Sequence, residues 1–195
     1  VDPGTYVYTA DHKWRNRFRS TEYHNTVMVD EEQIHPIPEK WLFALPDAGE
    51  VNVTRWDVGD DSVVFAGEHD AYRRLSNPIT HRRTVTFDVK SETWTIEDEM
   101  DGSGHHTFES RLHFAPGIGL RERAESSGSY VTECDGANLE IEASSNQSFE
   151  STLEDGWYSP SYGIRVPIKV LAYRWRSPAP CSFRIVLRPA NGVES

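Results

Sequence analysis

The sequence predicts an all-β fold, two packed antiparallel sheets forming a β-sandwich of ten or more strands. Three observations lead there. Apolar and β-branched residues alternate with polar ones at period two over much of the chain, the spacing that sends successive side chains to opposite faces of a sheet. Clusters of Gly, Pro, Asp, Asn and Ser punctuate these runs at short intervals, as hairpins and loops do. No stretch carries a sustained stripe at helical spacing. Strands without intervening helices pack sheet on sheet rather than as a βαβ fold.

The elements follow in order. Val27-Met28-Val29 and Val51-Asn52-Val53-Thr54-Arg55-Trp56 are short strands, and Ser62 to His69 is a third. Asp70 to Leu75 holds one or two helical turns at most. His81 to Val89 and Thr93 to Met100 alternate strictly and are joined by the polar Lys90-Ser91-Glu92, which makes a hairpin. After Asp101-Gly102-Ser103-Gly104 comes His106 to Phe114, with Phe108, Leu112 and Phe114 on one parity. Ser129 to Cys134 and Asn138 to Ala143 form a second hairpin across Asp135-Gly136-Ala137. Lys169 to Trp175 and Cys181 to Leu187 close the chain. No repeat, low-complexity segment or linker interrupts it, so residues 1–195 read as one domain.

Composition bounds the function. A chain of 195 residues buries about 70% of the surface its unfolded form exposes, and six Trp, eight Tyr and eight Phe supply the apolar material. Its 31 acidic and 20 basic residues leave a net charge of −11. That balance excludes a general duplex nucleic-acid binder, which carries a basic face, and gives no reason to dock on anionic lipid. No apolar run reaches the roughly 18 residues of a membrane span. Cys134 and Cys181 either pair or stand as two small buried side chains, and the second reading is preferred. The chain opens on Val1 without an initiating Met, and so reads as a piece of a longer polypeptide.

The first 35 residues break the strand pattern. His12-Lys13-Trp14-Arg15-Asn16-Arg17-Phe18-Arg19 concentrates cations in an acidic protein. If extended, Lys13, Arg15, Arg17 and Arg19 share one face. A guanidinium matches a carboxylate or sulfate with two parallel hydrogen bonds, and Tyr6, Tyr8, Trp14 and Tyr23 are rings that stack on sugars. Arg15, Arg17 and Arg19 are therefore candidate contacts for an anionic polysaccharide. The plainer reading is a solvated strand whose arginines pair with the abundant carboxylates. Asp2 beside a Pro-Gly turn and His24 opening a strand are acceptable zinc ligands, but 22 residues of separation carry little weight alone. His105, His106 and His113 read as surface or hydrogen-bonded strand positions. No nucleophile elbow, P-loop or H-E-x-x-H helix is present.

Asp2-Pro3-Gly4-Thr5-Tyr6, Trp14 to Thr21, His24-Asn25-Thr26-Val27, Asp30 and Gln33 together resemble the C-terminal region of heparinase II/III-type polysaccharide lyases. Arg83-Thr84-Val85, Trp94 to Asp98, Leu112 to Gly117 and Trp157 to Gly163 are similar to it more loosely. The resemblance implies an α/α toroid, outside this chain, followed by an antiparallel super-sandwich domain. Such enzymes cleave heparin, heparan sulfate or alginate by β-elimination. The uronate carboxylate is neutralised, a base removes the C5 proton, and an acid protonates the leaving oxygen. The resemblance places the catalytic Tyr and His or Asn in the toroid, and a further His in an H-x-H pair upstream of Asp2. No catalytic residue is then expected here, and the isolated chain is expected to be inactive. In some members a structural zinc is held by the second His of that pair, the Asp of D-x-G-T-Y and the His of H-N-T. This implies Asp2 and His24 as ligands, with His12 the local alternative for the third. Arg15 and Arg19 fall in the family's Arg-rich stretch near the cleft. A periplasmic or secreted location follows from the resemblance only. The competing readings are a non-catalytic carbohydrate-binding sandwich and a structural domain. An exposed apolar patch around Val1 to Tyr8 would speak for a partner domain instead.

Overall fold

The computed structural model describes residues 1–123 and 128–190. It contains a short helix, α1 (His12–Phe18), and twelve strands: β1 (Val27–Val29), β2 (Val51–Val58), β3 (Ser62–His69), β4 (Ile79–Asp88), β5 (Thr93–Gly102), β6 (His105–His113), β7 (Gly119–Glu122), β8 (Ser129–Glu133), β9 (Leu139–Ser145), β10 (Phe149–Ser161), β11 (Ile164–Pro178) and β12 (Cys181–Pro189). One sheet runs β1-β6-β11-β10 and the other β2-β3-β4-β5-β12-β9-β8-β7, and every pairing is antiparallel. The expected two-sheet sandwich is what the chain adopts. Among the described residues no helix is long and apolar enough to cross a membrane.

The core lies between the sheets. Trp175 of β11 stacks on Phe183 of β12 at 4.4 Å between ring centres, and Phe108 of β6 stacks on Trp175 at 5.4 Å. Tyr173, Leu171, Met100, Ile79 and Ile141 fill the space around them, all essentially inaccessible. Four strands do not cover eight. The uncovered margin shows in β2, where all eight residues are exposed, Trp56 at 68%.

Both predicted hairpins form. Asp88 pairs with Thr93 and Phe87 with Trp94, whose rings stack at 4.5 Å. The Asp88 carboxylate holds the turn by accepting the Ser91 backbone and hydroxyl hydrogens at 2.7 Å each. Ser129 pairs with Glu142 in the second hairpin. Between Asp70 and Leu75 lies a single 3-10 turn, Ala71–Arg74, as expected.

Three details correct the sequence reading. The Lys13–Arg19 stretch is not extended: His12–Phe18 is helical, because Asp11 caps it by accepting the Trp14 amide hydrogen at 3.1 Å. Trp14 and Phe18 then lie one above the other, and burying Phe18 favours the helix. Positions two apart on a helix lie about 200° apart, so Arg15 and Arg17 face opposite ways rather than sharing a face. Cys134 and Cys181 are free thiols, each half-buried rather than buried. Finally, β7 and β10 are strands that the alternation did not reveal. The Gly- and Pro-bearing β10 sits at a sheet edge, where Pro160 breaks no ladder it must serve.

Candidate functional site

The N-terminal segment is strapped to the β10–β11 hairpin. The Pro3 carbonyl accepts the Ser159 amide hydrogen and the Tyr6 carbonyl accepts that of Gly163, both at 2.8 Å. Gly4 makes this approach possible. Its φ is +81° and a Cβ there would lie 2.7 Å from the Ser159 carbonyl oxygen, so a side chain is excluded twice over. Tyr6 also takes a positive φ, 64°, a conformation that non-glycine residues hold only when their surroundings enforce it. The strap brings Trp157 of β10 and Arg165 of β11 against α1.

Asp2 and His24, 22 residues apart, come together. Asp2 Oδ2 lies 2.8 Å from His24 Nδ1, and Asp2 Oδ1 accepts the Gly4 amide hydrogen at 3.0 Å. Partial burial raises the Asp2 pKa, but the Gly4 and His24 hydrogen bonds outweigh it and hold the carboxyl below its usual value. Both side chains are accessible. An oxygen and a nitrogen donor so close suit a zinc ion. No described residue joins them as a third His, Cys, Asp or Glu ligand, His12 included.

Much of the surrounding motif is architecture. Asn25 accepts the His113 amide hydrogen at 2.7 Å and donates to the Val1 carbonyl at 3.0 Å, which fixes β6 beside Asp2. Gln33 accepts the Thr21 amide hydrogen at 2.7 Å. Asp30 accepts from the Thr107 amide at 2.9 Å and from His106 Nδ1 at 2.7 Å. His106 and His113 are buried, hydrogen-bonded strand residues, as expected, and burial followed by the Arg111 charge pushes His113 down to about 4.

The arginines of the cationic stretch do not pair with carboxylates as the plainer reading expects. Of sixteen arginines in the chain, ten have a described carboxylate within 4 Å. Six have none among the described residues: Arg73, Arg176 and the four that lie around α1, Arg15, Arg17, Arg19 and Arg165. The abundant carboxylates therefore do not neutralise this face. Arg15 Nε donates to the Leu42 carbonyl at 2.9 Å and its guanidinium lies over Tyr8. Arg19 donates to Asn16 Oδ1 and to the Ala44 carbonyl at 3.1 Å each. Burial, then the Arg15 charge, lowers the Arg19 pKa, though a guanidinium stays charged. These two arginines anchor the 42–44 segment. Arg19, with Thr21, His24, Thr26 and His35, lines a cleft of about 420 Å³ that opens beside the Asp2–His24 pair. Arg19 Nη2 is buried without a protein partner. Arg17 is exposed, across the helix, leaning on Trp14 at 5.3 Å and Tyr23 at 5.4 Å.

An aromatic surface runs alongside. Tyr8 stacks between Phe43 (6.1 Å) and Tyr162 (5.8 Å), and all three rings are exposed, Phe43 at 74%. Val1, Trp41 and Ile164 are exposed as well. Arg165 and Trp157 are the residues that sequence reasoning missed as site members. Trp157 lay within a recognised stretch, but a lone Arg two residues past a Tyr-Gly turn gives no signal of meeting a helix about 150 residues earlier.

The family profile described as "Heparinase II/III-like, C-terminal" matches residues 1–185. No curated protein matches the chain. Among solved structures, a heparinase III gene product superposes with a TM-score of 0.78 at 21% identity, over 97% of this chain and 28% of its own. The heparan sulfate lyase HepC from Pedobacter heparinus gives 0.78 at 19% identity, over 100% of this chain and 29% of its own. A further heparinase III gives 0.76 at 16%, over 98% and 28%. At such identities these structures establish the shared fold, and the chain spans less than a third of their length.

Proposed function

The chain belongs to the heparinase II/III-like family as its C-terminal domain, and from that premise we propose that it forms one wall of the substrate cleft in a lyase acting on uronic-acid polysaccharides. The observation that carries this reading is the set of four arginines around α1 without described carboxylate partners, in a chain of net charge −11. Unpaired guanidinium groups beside accessible aromatic rings are suited to carboxylate and sulfate groups on sugar rings. In β-elimination such groups hold and neutralise the uronate carboxylate, which makes the C5 proton acidic. The base and acid are proposed to come from the rest of the full-length protein. Arg15 and Arg19 shape the cleft beside His24, and Arg17 contacts glycan from the other side of α1.

The exposed Tyr8–Phe43–Tyr162 stack, with Val1 and Trp41, is the face proposed to pack against the preceding α/α toroid. An apolar patch of this kind marks an interaction surface, and the similar structures carry more than twice this chain's length besides it. Asp2 and His24 are proposed to hold a structural zinc there, completed by a ligand from outside the chain. Such a metal cross-links the domains rather than taking part in the elimination. Elemental analysis of the dialysed full-length protein is expected to show zinc that His24→Ala removes.

The deciding experiment is ultraviolet absorbance from newly formed unsaturated uronate, over heparin, heparan sulfate and alginate. The full-length protein is expected to generate signal and the 195-residue chain none. Glycan binding without product from the full-length protein would replace the lyase reading with a non-catalytic binding module.

A further inference from the structure

The Arg165 side chain is held in an unusual way. Its guanidinium carbon lies 3.7 Å from the centre of the Trp14 ring, 4.5 Å from that of Trp157 and 5.3 Å from that of Tyr6. Three aromatic rings surround the cation, and no described carboxylate lies within 4 Å of it. One of its terminal nitrogens, Nη1, is buried without a hydrogen-bond partner in the protein. The Tyr23 hydroxyl is likewise buried and unpartnered. Arg17 is the second cation of the group: it shares Trp14 with Arg165 and also lies over Tyr23.

Aromatic rings satisfy the face of a guanidinium but not its edge. Cation–π contact engages the π surface, whereas the N–H donors lie in the guanidinium plane and need acceptor oxygens. A buried donor left without one carries a large desolvation penalty. What would satisfy this group is a planar or tetrahedral oxyanion that accepts from its N–H edge. Trp14 and Trp157 stand nearly perpendicular, 88° between planes at 6.4 Å. The guanidinium lies over both indoles, so the two rings hold Arg165 in place.

We propose that Arg165 and Arg17, set against Trp14 and Trp157, form a separate anion-binding subsite that takes the carboxylate or sulfate group of one sugar unit. The subsite rests on the glycan reading above and extends it. It lies across α1 from the Arg19–His24 cleft, and so grips a different unit of the chain. Arg165 is its central residue, and Arg17 closes it from the solvent side.

The test is a tryptophan-fluorescence titration of the full-length protein at equilibrium, since Trp14 and Trp157 are themselves reporters. The probes are a heparin disaccharide, bearing sulfate and carboxylate, and an alginate disaccharide, bearing carboxylate alone. Arg165→Ala is expected to raise Kd roughly tenfold to a hundredfold, the loss of a charge-assisted hydrogen-bond pair. Arg165→Lys, which keeps the charge without the fork, falls between. Weakening with both sugars identifies the carboxylate as the bound group, and weakening with heparin alone identifies the sulfate. Arg17→Ala, an exposed position with no hydrogen bond to lose in the fold, weakens the same sugar and keeps the test open should Arg165→Ala fail to fold. Arg176→Ala, another arginine with no described carboxylate partner, near the other end of β11, leaves Kd unchanged. The proposal is overturned if wild type binds neither sugar, if Arg17→Ala and Arg165→Ala titrate as wild type, or if Arg176→Ala weakens binding equally. An unchanged Kd with a lowered melting temperature in Arg165→Ala would also overturn it. That result would assign the guanidinium to a carboxylate elsewhere in the polypeptide. The uronate absorbance assay runs independently, so lost lyase activity and a lost subsite are told apart.

Discussion

Asp98→Asn tests how the sheet beneath the site is held. Asp98 is wholly inaccessible, and three donors converge on its two oxygens. His81 Nε2 and Arg83 Nε reach Oδ1 at 2.8 and 2.7 Å, and Arg83 Nη2 reaches Oδ2 at 2.8 Å. Arg83 Nη1 also donates to the Asn25 carbonyl, next to His24. Burial alone would raise the Asp98 pKa. The Arg83 charge and the His81 hydrogen bond overcome it and hold the carboxyl far below the usual range. An asparagine keeps the volume but offers one oxygen instead of two, and turns an NH₂ group toward the guanidinium. Breaking a buried pair from one side costs about 3–5 kcal/mol. Without a cavity the lower end applies, so about 3 kcal/mol is expected, or a fall in Tm of roughly 6–12 °C for a chain of this size. Asp57→Asn is the control. Its partner Arg55 lies 2.6 Å away, yet both side chains are more than half exposed, and such pairs contribute at most about 1 kcal/mol. Urea denaturation of both variants gives the comparison. Equal midpoints would refute the claim that this buried ion pair anchors the strand pair.

Three further predictions follow from the same contacts. Asp98 only accepts, so His81 donates through Nε2 and receives the His69 Nε2 hydrogen at 3.1 Å; this leaves His69 Nδ1 buried without a described partner. Burial, then the His81 neighbour, pushes His69 down to about 4 from 6.5. The unfolded chain therefore binds the extra proton between these values, and stability falls as pH drops from 6.5 to about 4 and levels off below. Across that window His69 contributes a fall of about 2–3 kcal/mol and His113, also lowered to about 4, a similar one, so His69→Gln should remove about half of the slope in the urea midpoints. Gly4→Ala combines a positive φ with a 2.7 Å clash against Ser159. It should cost about 2 kcal/mol or more, whereas Gly117→Ala, at φ +83° with open space around it, should cost only about 1 kcal/mol; equal melting temperatures would remove the steric argument. Arg15→Ala gives up the hydrogen bond to Leu42 and should lower stability by about 1 kcal/mol, whereas Arg17→Ala should leave the urea midpoint unchanged and weaken glycan binding alone.

The legible parts of the sequence were those in which neighbours in space are neighbours in sequence. The β4–β5 hairpin could be written down from its alternation and its polar turn, and its register sets Arg83 opposite Asp98. That pair was therefore available to a closer reading. The helix His12–Phe18 was not legible by period alone, because seven residues with aromatics at 14 and 18 satisfy both a strand and a helix. The cap at Asp11 was the missed signal. Asp2 and His24 meet through a fold that joins residue 25 to residue 113, and only the family likeness brought them together in advance. Arg165 was out of reach for the same reason. Its partners Tyr6, Trp14 and Trp157 come from three separate elements, joined by two backbone hydrogen bonds at Ser159 and Gly163.

A chain of net charge −11 that grips a polyanion needs its charges segregated. The ten paired arginines neutralise carboxylates on the sheets, as in the Glu109–Arg111–Glu154–Arg174 network across β6, β10 and β11. Of the six without a described carboxylate partner, four gather at α1, where Asp11 caps the helix and Asp2 faces His24. At physiological salt the Debye length is about 8 Å, so carboxylates on the far strands are screened while guanidinium groups in contact with a sugar are not. Net charge then opposes long-range approach only weakly, and the local field decides binding. Raising the salt should therefore weaken glycan binding rather than strengthen it, since the short-range attraction at Arg17 and Arg165 is what added ions compete with. If binding instead strengthened with salt, repulsion from the acidic body would be the dominant force, and the segregation argument would fail.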